Sequence, residues 1–445
     1  MTTALPDARA SEGRYPAVGL KDALDPGWAV GRLATMVDRE GGWRIDRCQP
    51  GKVLILADGG CAVRYALRLS RGGRPHTTTL GARLFPSPAA AATSARALVP
   101  LGAAATGRPE LRPFRTPAGQ LQDSAMTAYA FPVDPELPTL VGATDPLSMA
   151  PALSEALGLH PSSTRWGVSV ERYPRHGRCV LRYTLPSHSG HQPAVAFGKV
   201  YPQRPGAGAT VLAALDGKLD DEVSVPRLLG GVEGLHLVLL EALPGRPITL
   251  PSRAAIEAYA RVAVSVHRHE PPANLRTLRS LGQSLRSDLA DLADGPLADS
   301  IAIWAERATE LGGGADPLPP RLAHGDLTPG QVMIDGERLC LLDFDDACAA
   351  EPASDLGRFC AYLRVAYHKR IASRRAAAEA NAACGRFLER YMRLAEIPPN
   401  RQRDMIRRTS AYEGLALCRI ALHSWQHIKW TRLRHTCSIL EQRLL

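Results

Sequence analysis

The sequence predicts an α+β chain of two lobes, strand-rich to about residue 245 and helical beyond it, with a further α+β segment in front. Three observations carry this. Before Pro244-Gly245, apolar and polar residues alternate over short stretches; after it, apolar residues recur at helical spacing over long ones; and a strand–helix segment near residue 61 is repeated near residue 179.

The elements follow in order. Residues 1–26 are polar, carry Pro and Gly, and read as a flexible terminus. Residues 27–105 alternate as strands, as in Ala62-Val-Arg-Tyr-Ala-Leu-Arg68, and then form an Ala-rich helix over 88–98. A Pro-rich stretch, Phe131–Pro138, and a short helix over 146–157 close this first unit. Strands are predicted over 166–173, 178–185, 194–201 and 236–241, with a helix over about 207–219 between the last two. After Gly245 come helices over 252–268, 275–293 and 297–311 and two short strands over 331–335 and 338–343. Helices over 354–371, 373–394, 400–421 and 424–442 end the chain. The resulting domains are a flexible 1–26, a cap over 27–160, a β-rich lobe over 161–245 and a helical lobe over 246–445.

The repeat pairs Cys61-Ala-Val-Arg-Tyr-Ala-Leu67 with Cys179-Val-Leu-Arg-Tyr-Thr-Leu185, and Arg83-Leu-Phe-Pro86 with Lys199-Val-Tyr-Pro202. Each copy is followed by a helix of small residues. A duplicated β-lobe accounts for this, and the first copy lacks any helical lobe of its own.

Composition bounds the function. The chain has 445 residues, 45% of them apolar, enough for several packed domains. The formal charge of +10 comes from dispersed arginines; aromatic content is 5% and there is no basic tail, so no nucleic-acid partner is expected. The nine cysteines (48, 61, 179, 340, 348, 360, 384, 418 and 437) form no CxxC pair and several lie in apolar runs. They read as buried thiols of a reducing compartment rather than a disulfide frame or a zinc site. Met1–Gly19 has no apolar signal-like core and no run of 18 apolar residues occurs, so a cytoplasmic protein without a membrane span is expected.

The chemistry is concentrated in His324-Gly-Asp-Leu-Thr-Pro-Gly-Gln331, Leu341-Leu-Asp-Phe-Asp-Asp346 and Ser354-Asp-Leu356. Phosphoryl transfer asks little covalent work of a protein: a carboxylate beside the attacking hydroxyl, and cations to neutralise the phosphates. Magnesium wants hard oxygen donors. A tight loop holding Asp326, with an amide five residues later, supplies both, and a hairpin turning at Asp335-Gly336 returns Asp343 beside them. Val332, Ile334, Leu339, Leu341 and Leu342 anchor that hairpin in the core.

HGDLxxGQ…LLDFDDA…DL resembles the signature of the aminoglycoside phosphotransferase/choline kinase superfamily, strongly over 320–360 and more loosely over 166–445. The resemblance implies a protein-kinase-like fold, with a β-rich N-lobe and an α-helical C-lobe, preceded here by the duplicated α+β domain. It implies Asp326 as the base for the acceptor hydroxyl and Asp343 as the magnesium ligand, with Gln331 as its amide partner. Lys199 would reach the α- and β-phosphates. Glu241 and Ala242, in Leu239–Gly245, would form the hinge for the adenine edge. Tyr173–Arg178 would cover the phosphates, and His324 and Asp355 would be scaffolding. The implied ligands are ATP, with GTP as the alternative donor, and magnesium; the implied partner is a small-molecule hydroxyl acceptor.

Two departures stand out. Gln331 replaces the family's usual Asn, a variant shared with maltokinase-like members. And Gly206–Gly217 carries no Glu to orient Lys199, with only Asp216 near its end and Glu222 beyond it. These motivate the alternative of an inactive nucleotide-binding pseudokinase or scaffold. The late helices are rich in arginine (Arg370, Arg374, Arg375, Arg386, Arg390, Arg393, Arg401, Arg403, Arg407 and Arg408), which favours a neutral or anionic acceptor over a polycation.

Overall fold

The structure, a computed structural model, describes residues 17–122, 124–159, 166–173, 177–185, 194–278, 296–370 and 374–444. Its front half is two five-stranded antiparallel sheets. The first consists of β1 (Arg44–Ile55), β2 (Cys61–Arg71), β3 (Arg74–Leu84), β4 (Ala118–Gln120) and β5 (Met126–Ala130), in the order β1-β2-β3-β5-β4. The second consists of β6 (Gly167–Arg172), β7 (Cys179–Leu185), β8 (Ala194–Val200), β10 (Leu228–Val232) and β11 (Leu237–Glu241), with the two-residue β9 (Val223–Ser224) leaving it for another sheet. Its order, β6-β7-β8-β11-β10, is the path of the first.

The likeness extends to side chains. Cys61 lies opposite Leu84, and Cys179 opposite Val200, so Arg83 and Lys199 occupy one register position. Tyr65 donates to the Ala23 carbonyl (2.8 Å) and Tyr183 to that of Ala143 (2.7 Å). Those carbonyls end two short helices, Leu20–Ala23 and Leu140–Ala143. Each is followed by an Asp-Pro helix start: Asp25 accepts from the Trp28 N–H (2.6 Å), and Asp145 from the N–H groups of Leu147 and Ser148 (both 3.3 Å). The front half is therefore a duplicated unit.

The duplication moves two boundaries. Within the supposedly flexible 1–26, Leu20 and Ala23 are fully buried in the first core, because the N-terminal helix is a working part of the unit; residues 1–16 lie outside the described residues. The cap does not run to 160. Leu137, Leu140, Met149 and Leu153 pack against Cys179, Leu181 and Tyr183 of the second sheet, so this segment is the entry of the second unit.

Beyond β11 the chain passes through Gly245 (φ 114°), where a Cβ would lie 2.7 Å from the Ile334 carbonyl, a close approach only glycine allows. Strands β12 (Arg246–Pro247), β14 (Val332–Asp335) and β15 (Arg338–Leu341) join β9 in a small sheet, and β13 (Arg321–Ala323) pairs with β16 (Cys348–Ala350). Helices Arg253–His267, Pro296–Gly312, Ala353–Arg370, Arg374–Leu394, Pro399–Gln426 and Trp430–Leu444 form the helical lobe. The helix expected over 275–293 falls mostly outside the described residues, and 275–278 are not helical. One core runs from Val211, Leu212 and Leu240 of the second β-lobe through Tyr259 to Val332, Phe344, Phe359 and Phe387, welding that lobe to the helices. The fold is bilobal and kinase-like, with the extra β-lobe in front.

All nine cysteines are buried free thiols, and burial pushes Cys48 up to about 11 and Cys179 and Cys348 to about 12. No described helix is long and apolar enough to cross a membrane.

Candidate active site

The loop after β13 is held by its backbone. Asp355, at the start of helix Ala353–Arg370 and wholly buried, accepts from the N–H groups of His324 (2.7 Å) and Gly325 (2.9 Å) and contacts His267 Nε2 (3.2 Å). Burial opposes the charge, but these bonds outweigh it and hold the carboxyl below its usual range. His324 has both ring nitrogens committed: Nε2 donates to the Leu342 carbonyl (2.8 Å) and Nδ1 accepts from the Asp326 N–H (3.3 Å). That pairing fixes the ring as a spacer between the loop and Leu342. Gly325 (φ 75°) is required, since a Cβ there would fall 2.0 Å from the Asp346 carbonyl. Tyr259 donates to the Thr328 carbonyl (3.0 Å) and closes the loop from behind.

Asp326 and Asp343 are thereby brought to one point. Gln331 Nε2 lies 3.3 Å from Asp326 Oδ2 and 3.5 Å from Asp343 Oδ2. Asp343 sits in the left-handed region (φ 69°, ψ 64°), an uncommon conformation that turns its carboxylate out of the hairpin toward the β-lobe. There Lys199 Nζ meets Asp343 Oδ1 at 2.8 Å, and Arg178 reaches both oxygens at 2.9 and 2.7 Å. Burial would raise the Asp343 carboxyl, but Lys199 and Arg178 hold it far below the usual range. Asp326 goes the other way: burial raises it, and Arg358, 3.0 Å from Oδ1, opposes the rise.

Lys199 has a second partner that the sequence reading missed. Asp345 Oδ1 lies 3.3 Å from Nζ and accepts from the Tyr201 hydroxyl (2.9 Å), while Asp345 Oδ2 lies 2.8 Å from Arg178. Glu222 is elsewhere, paired with Arg261 at 2.7 Å. Helix Ala207–Leu215 packs directly on Phe344–Asp346: a Cβ on Gly208 would lie 2.9 to 3.0 Å from Asp345. With the helix this close, an acid on the hairpin segment occupies the space that a helix-borne Glu would need.

The hinge reading is narrowed. The Glu241 N–H donates to the Arg227 carbonyl (3.0 Å) and is spent within the lobe, so a base edge docking here has to take its backbone N–H from Ala242 or beyond. Tyr173, Gly177 and Arg178 flank the turn expected over the phosphates; residues 174–176 lie outside the described residues.

Six of the arginines of the late helices are engaged away from this site. Arg390 pairs with Glu257, Arg375 with Glu379, Arg393 with Glu389 and Arg408 with Glu351, and Arg401 and Arg407 reach backbone carbonyls. Arg178 falls in the segment expected to cover the phosphates, whereas Arg358, which reaches Asp326, gave no local signal, because Arg on a helix face is ordinary.

The residues present fit magnesium. A half-turn of the Gln331 amide presents Oε1 where Nε2 now lies, beside the Asp343 carboxylate. No cluster of three or more His, Cys, Asp or Glu arranged to hold a metal occurs among the described residues. One carboxylate and one amide oxygen suit an ion that takes its remaining ligands from substrate phosphates and water.

Among solved structures, the chain is similar to choline kinase from Cryptosporidium parvum Iowa II (12% identity over 62% of this chain and 88% of that one, TM-score 0.45). It is likewise similar to a microcompartment-associated aminopropanol kinase (16% identity, 67% and 98%, TM-score 0.45). A third similar structure is a thermostable mutant of the aminoglycoside phosphotransferase APH(4)-Ia (13%, 66% and 98%, TM-score 0.44). No curated protein sequence matches. Residues 205–396, which hold Asp326, Gln331, Asp343 and Asp355, match the family described as the phosphotransferase enzyme family, APH.

Proposed function

We propose that this protein is a kinase that transfers the γ-phosphate of ATP to a hydroxyl of a small molecule. The observation that carries this reading is the convergence of Asp326, Gln331, Asp343 and Lys199 within hydrogen-bond reach of one another at the junction of the lobes. Asp326 takes the acceptor hydroxyl. As the acceptor oxygen bonds to the γ-phosphorus, the bond from that phosphorus to the β–γ bridging oxygen breaks, its electron pair leaves with ADP, and the hydroxyl proton passes to Asp326. Arg358 holds Asp326 in one orientation and opposes the rise that burial imposes on its carboxyl. Lys199 and Arg178 take the phosphates, each exchanging Asp343 for phosphate oxygens when the nucleotide enters. Asp343 and the Gln331 amide oxygen are the residues that would hold magnesium, which when bound neutralises the phosphate charge.

The pseudokinase alternative rested on the missing helix Glu and on Gln331 in place of Asn. Asp345, 3.3 Å from Lys199, offers the lysine a partner from the hairpin, and Gln331 carries the same amide oxygen as Asn beside Asp343.

The test is transfer of labelled γ-phosphate to a panel of hydroxyl compounds by the purified full chain, with Asp326→Asn alongside. Turnover should fall by roughly 10²–10⁴-fold in the variant, the usual contribution of a positioned base, while the ATP-induced rise in melting temperature persists. Nucleotide binding without transfer to any compound, identical in the variant, would sink the reading.

A further inference from the structure

Three cations of the second β-lobe meet the Asp343 carboxylate, and they meet it on different oxygens. Gln331 Nε2, which reaches Asp326 Oδ2 at 3.3 Å, approaches Asp343 through Oδ2 at 3.5 Å. Oδ2 is therefore the oxygen turned toward the acceptor base. Lys199 Nζ holds the other one, Oδ1, at 2.8 Å. Arg178 makes its shorter contact with Oδ2 (2.7 Å, against 2.9 Å to Oδ1), and Arg172 comes within 4.0 Å of Oδ2. The lysine is thus set back from Asp326 and the two arginines lie on its side. A triphosphate laid along this row, with its γ-phosphate next to the acceptor, brings that phosphate to the arginines.

Arg178 is also anchored in a way that leaves donors to spare. Its Nη1 pairs with Asp345 Oδ2 at 2.8 Å, while Nη2 makes both contacts with Asp343. When phosphate oxygens replace Asp343, Asp345 still holds the fork in place. The side chain is only 27% exposed, so its charge is little screened.

The duplicated lobe supplies an internal control. Arg172 lies opposite Val180, and in the first copy Leu54 lies opposite Ala62, the residue that likewise follows the cysteine of the repeat. Leu54 therefore stands where Arg172 does. Gly60 precedes Cys61 as Arg178 precedes Cys179, and a Cβ at Gly60 would fall 2.4 Å from the Leu84 carbonyl, so no side chain fits there. A β-lobe of this design folds without either guanidinium. The copy that has them is the one that faces Asp343.

We propose that Arg178 is a catalytic residue of the transfer, binding two oxygens of the γ-phosphoryl group as it passes from donor to acceptor, with Arg172 as an outer second guanidinium. This rests on the kinase reading above. The acceptor oxygen bonds to phosphorus as the bond to the bridging oxygen breaks; the electron pair leaves on ADP and the hydroxyl proton goes to Asp326. Charge meanwhile spreads over the equatorial oxygens of the group in transfer. A planar guanidinium meets two of them at once, which the point charge of Lys199 does not. An interaction that strengthens as the group flattens lowers the barrier more than it adds to ATP affinity, so Arg178 acts on kcat.

The experiment uses the full chain with magnesium, ADP and aluminium fluoride, a mimic of the phosphoryl group in transfer, and reads the melting temperature. ADP release from ATP, with water or a hydroxyl compound as acceptor, gives kcat and KM. Aluminium fluoride should raise the melting temperature of the wild type beyond the rise due to ADP alone. Arg178→Gln should keep the ADP rise, lose the fluoride increment and lose roughly 10²–10³-fold in kcat, the usual worth of one donor aimed at transition-state charge, with KM for ATP nearly unchanged. Arg178→Lys, which keeps the charge without the fork, guards against a folding failure and should fall between the two. Arg172→Gln should show the same pattern more weakly. Loss of the ADP rise together with the fluoride increment in the Arg178 variants makes this residue a nucleotide anchor alone and overturns the proposal, while the kinase stands. Arg178 variants equal to the wild type in fluoride increment and kcat overturn it as well. A wild type that gains nothing from aluminium fluoride and releases no ADP from ATP overturns the kinase reading and the proposal with it.

Discussion

Replacing Asp345 by Asn tests whether the hairpin, rather than the lobe helix, orients Lys199. The substitution keeps the side chain's shape and one acceptor oxygen but removes its charge. The wild-type carboxylate touches Lys199 Nζ (3.3 Å), Arg178 (2.8 Å) and the Tyr201 hydroxyl (2.9 Å), with both Lys199 and Asp345 side chains only 11% exposed, so these contacts are little screened. A hydrogen bond to a charged group is worth roughly 1.5–3 kcal/mol. Asp343 remains as the other anchor of both cations, so about one such increment is lost, not two. At about 1.4 kcal/mol per tenfold, kcat/KM for ATP should fall roughly 10- to 150-fold. The assay is steady-state ADP release against ATP concentration, with thermal unfolding as a control for folding. Because Lys199 and Arg178 meet the phosphates, the loss should fall on the ATP parameters and leave the acceptor KM nearly unchanged. A variant within twofold of wild type in kcat/KM for ATP would refute the assignment of Asp345.

Further outcomes follow from the same geometry. Gly208→Ala puts a Cβ 2.9 to 3.0 Å from Asp345, so it should destabilise the protein by roughly 1–3 kcal/mol in denaturant unfolding and weaken ATP use in the same direction as Asp345→Asn. Gln331→Asn keeps an amide oxygen and should retain substantial turnover, whereas Gln331→Leu, which has none, should abolish magnesium-dependent turnover. His423 has a folded pKa below its unfolded value near 6.5, so the stability it contributes is complete above that pH and is lost as the pH falls below it. Between pH 7 and pH 5 the melting temperature of His423→Gln should therefore fall less than that of the wild type.

What was legible in the sequence was what lies close together along the chain. Asp326, Gln331 and Asp343 sit within eighteen residues of one another in a loop and hairpin, and the turn at Asp335-Gly336 is enough to bring them together. The hairpin's core-facing residues, Val332, Leu339 and Leu341, were readable from alternation alone. Asp345 was visible as a letter but not as a partner of Lys199, because that role depends on how closely Gly208 lets a distant helix approach. Arg358 was invisible for a different reason. Its meaning lies in which loop its helix face opposes, and that is set by packing. Six of the arginines of the late helices, Arg375, Arg390, Arg393, Arg401, Arg407 and Arg408, are held in ion pairs and carbonyl contacts, which a count of charges along a helix does not reveal. The duplication was found through strands, where Cys-x-x-Arg-Tyr recurs, but its start was missed. Ala23-x-Asp-Pro26 and Ala143-x-Asp-Pro146, 120 residues apart, would have given it away.

The two copies of the β-lobe share topology, register and the tyrosine anchor, yet only one has the means to handle phosphate. Arg83 stands where Lys199 does, but it pairs with Asp58 of its own lobe at 2.7 Å, half-exposed, over no catalytic hairpin. What the first copy does instead is make contact with both of the other lobes. At one end Arg64, buried on β2, bonds Asp134 (3.1 Å) and lies 3.3 Å over the Tyr173 ring, whose hydroxyl also bonds Asp134 (2.5 Å). Tyr173 directly follows β6, so a buried ion pair of Arg64 and Asp134 fixes the end of that strand. At the other end β1 holds His427, and Trp425 and Ile428 pack on the first core, so the end of helix Pro399–Gln426 is held by the same lobe. A lobe that had merely lost its site would be free to drift. This one is tied by buried polar contacts to the second lobe and by packing to the helical lobe, and losing Arg64 alone would leave Asp134 buried without its cation, a change that typically costs about 3–5 kcal/mol. The first lobe is thus joined to the second at Tyr173 and to the helical lobe at Trp425, His427 and Ile428.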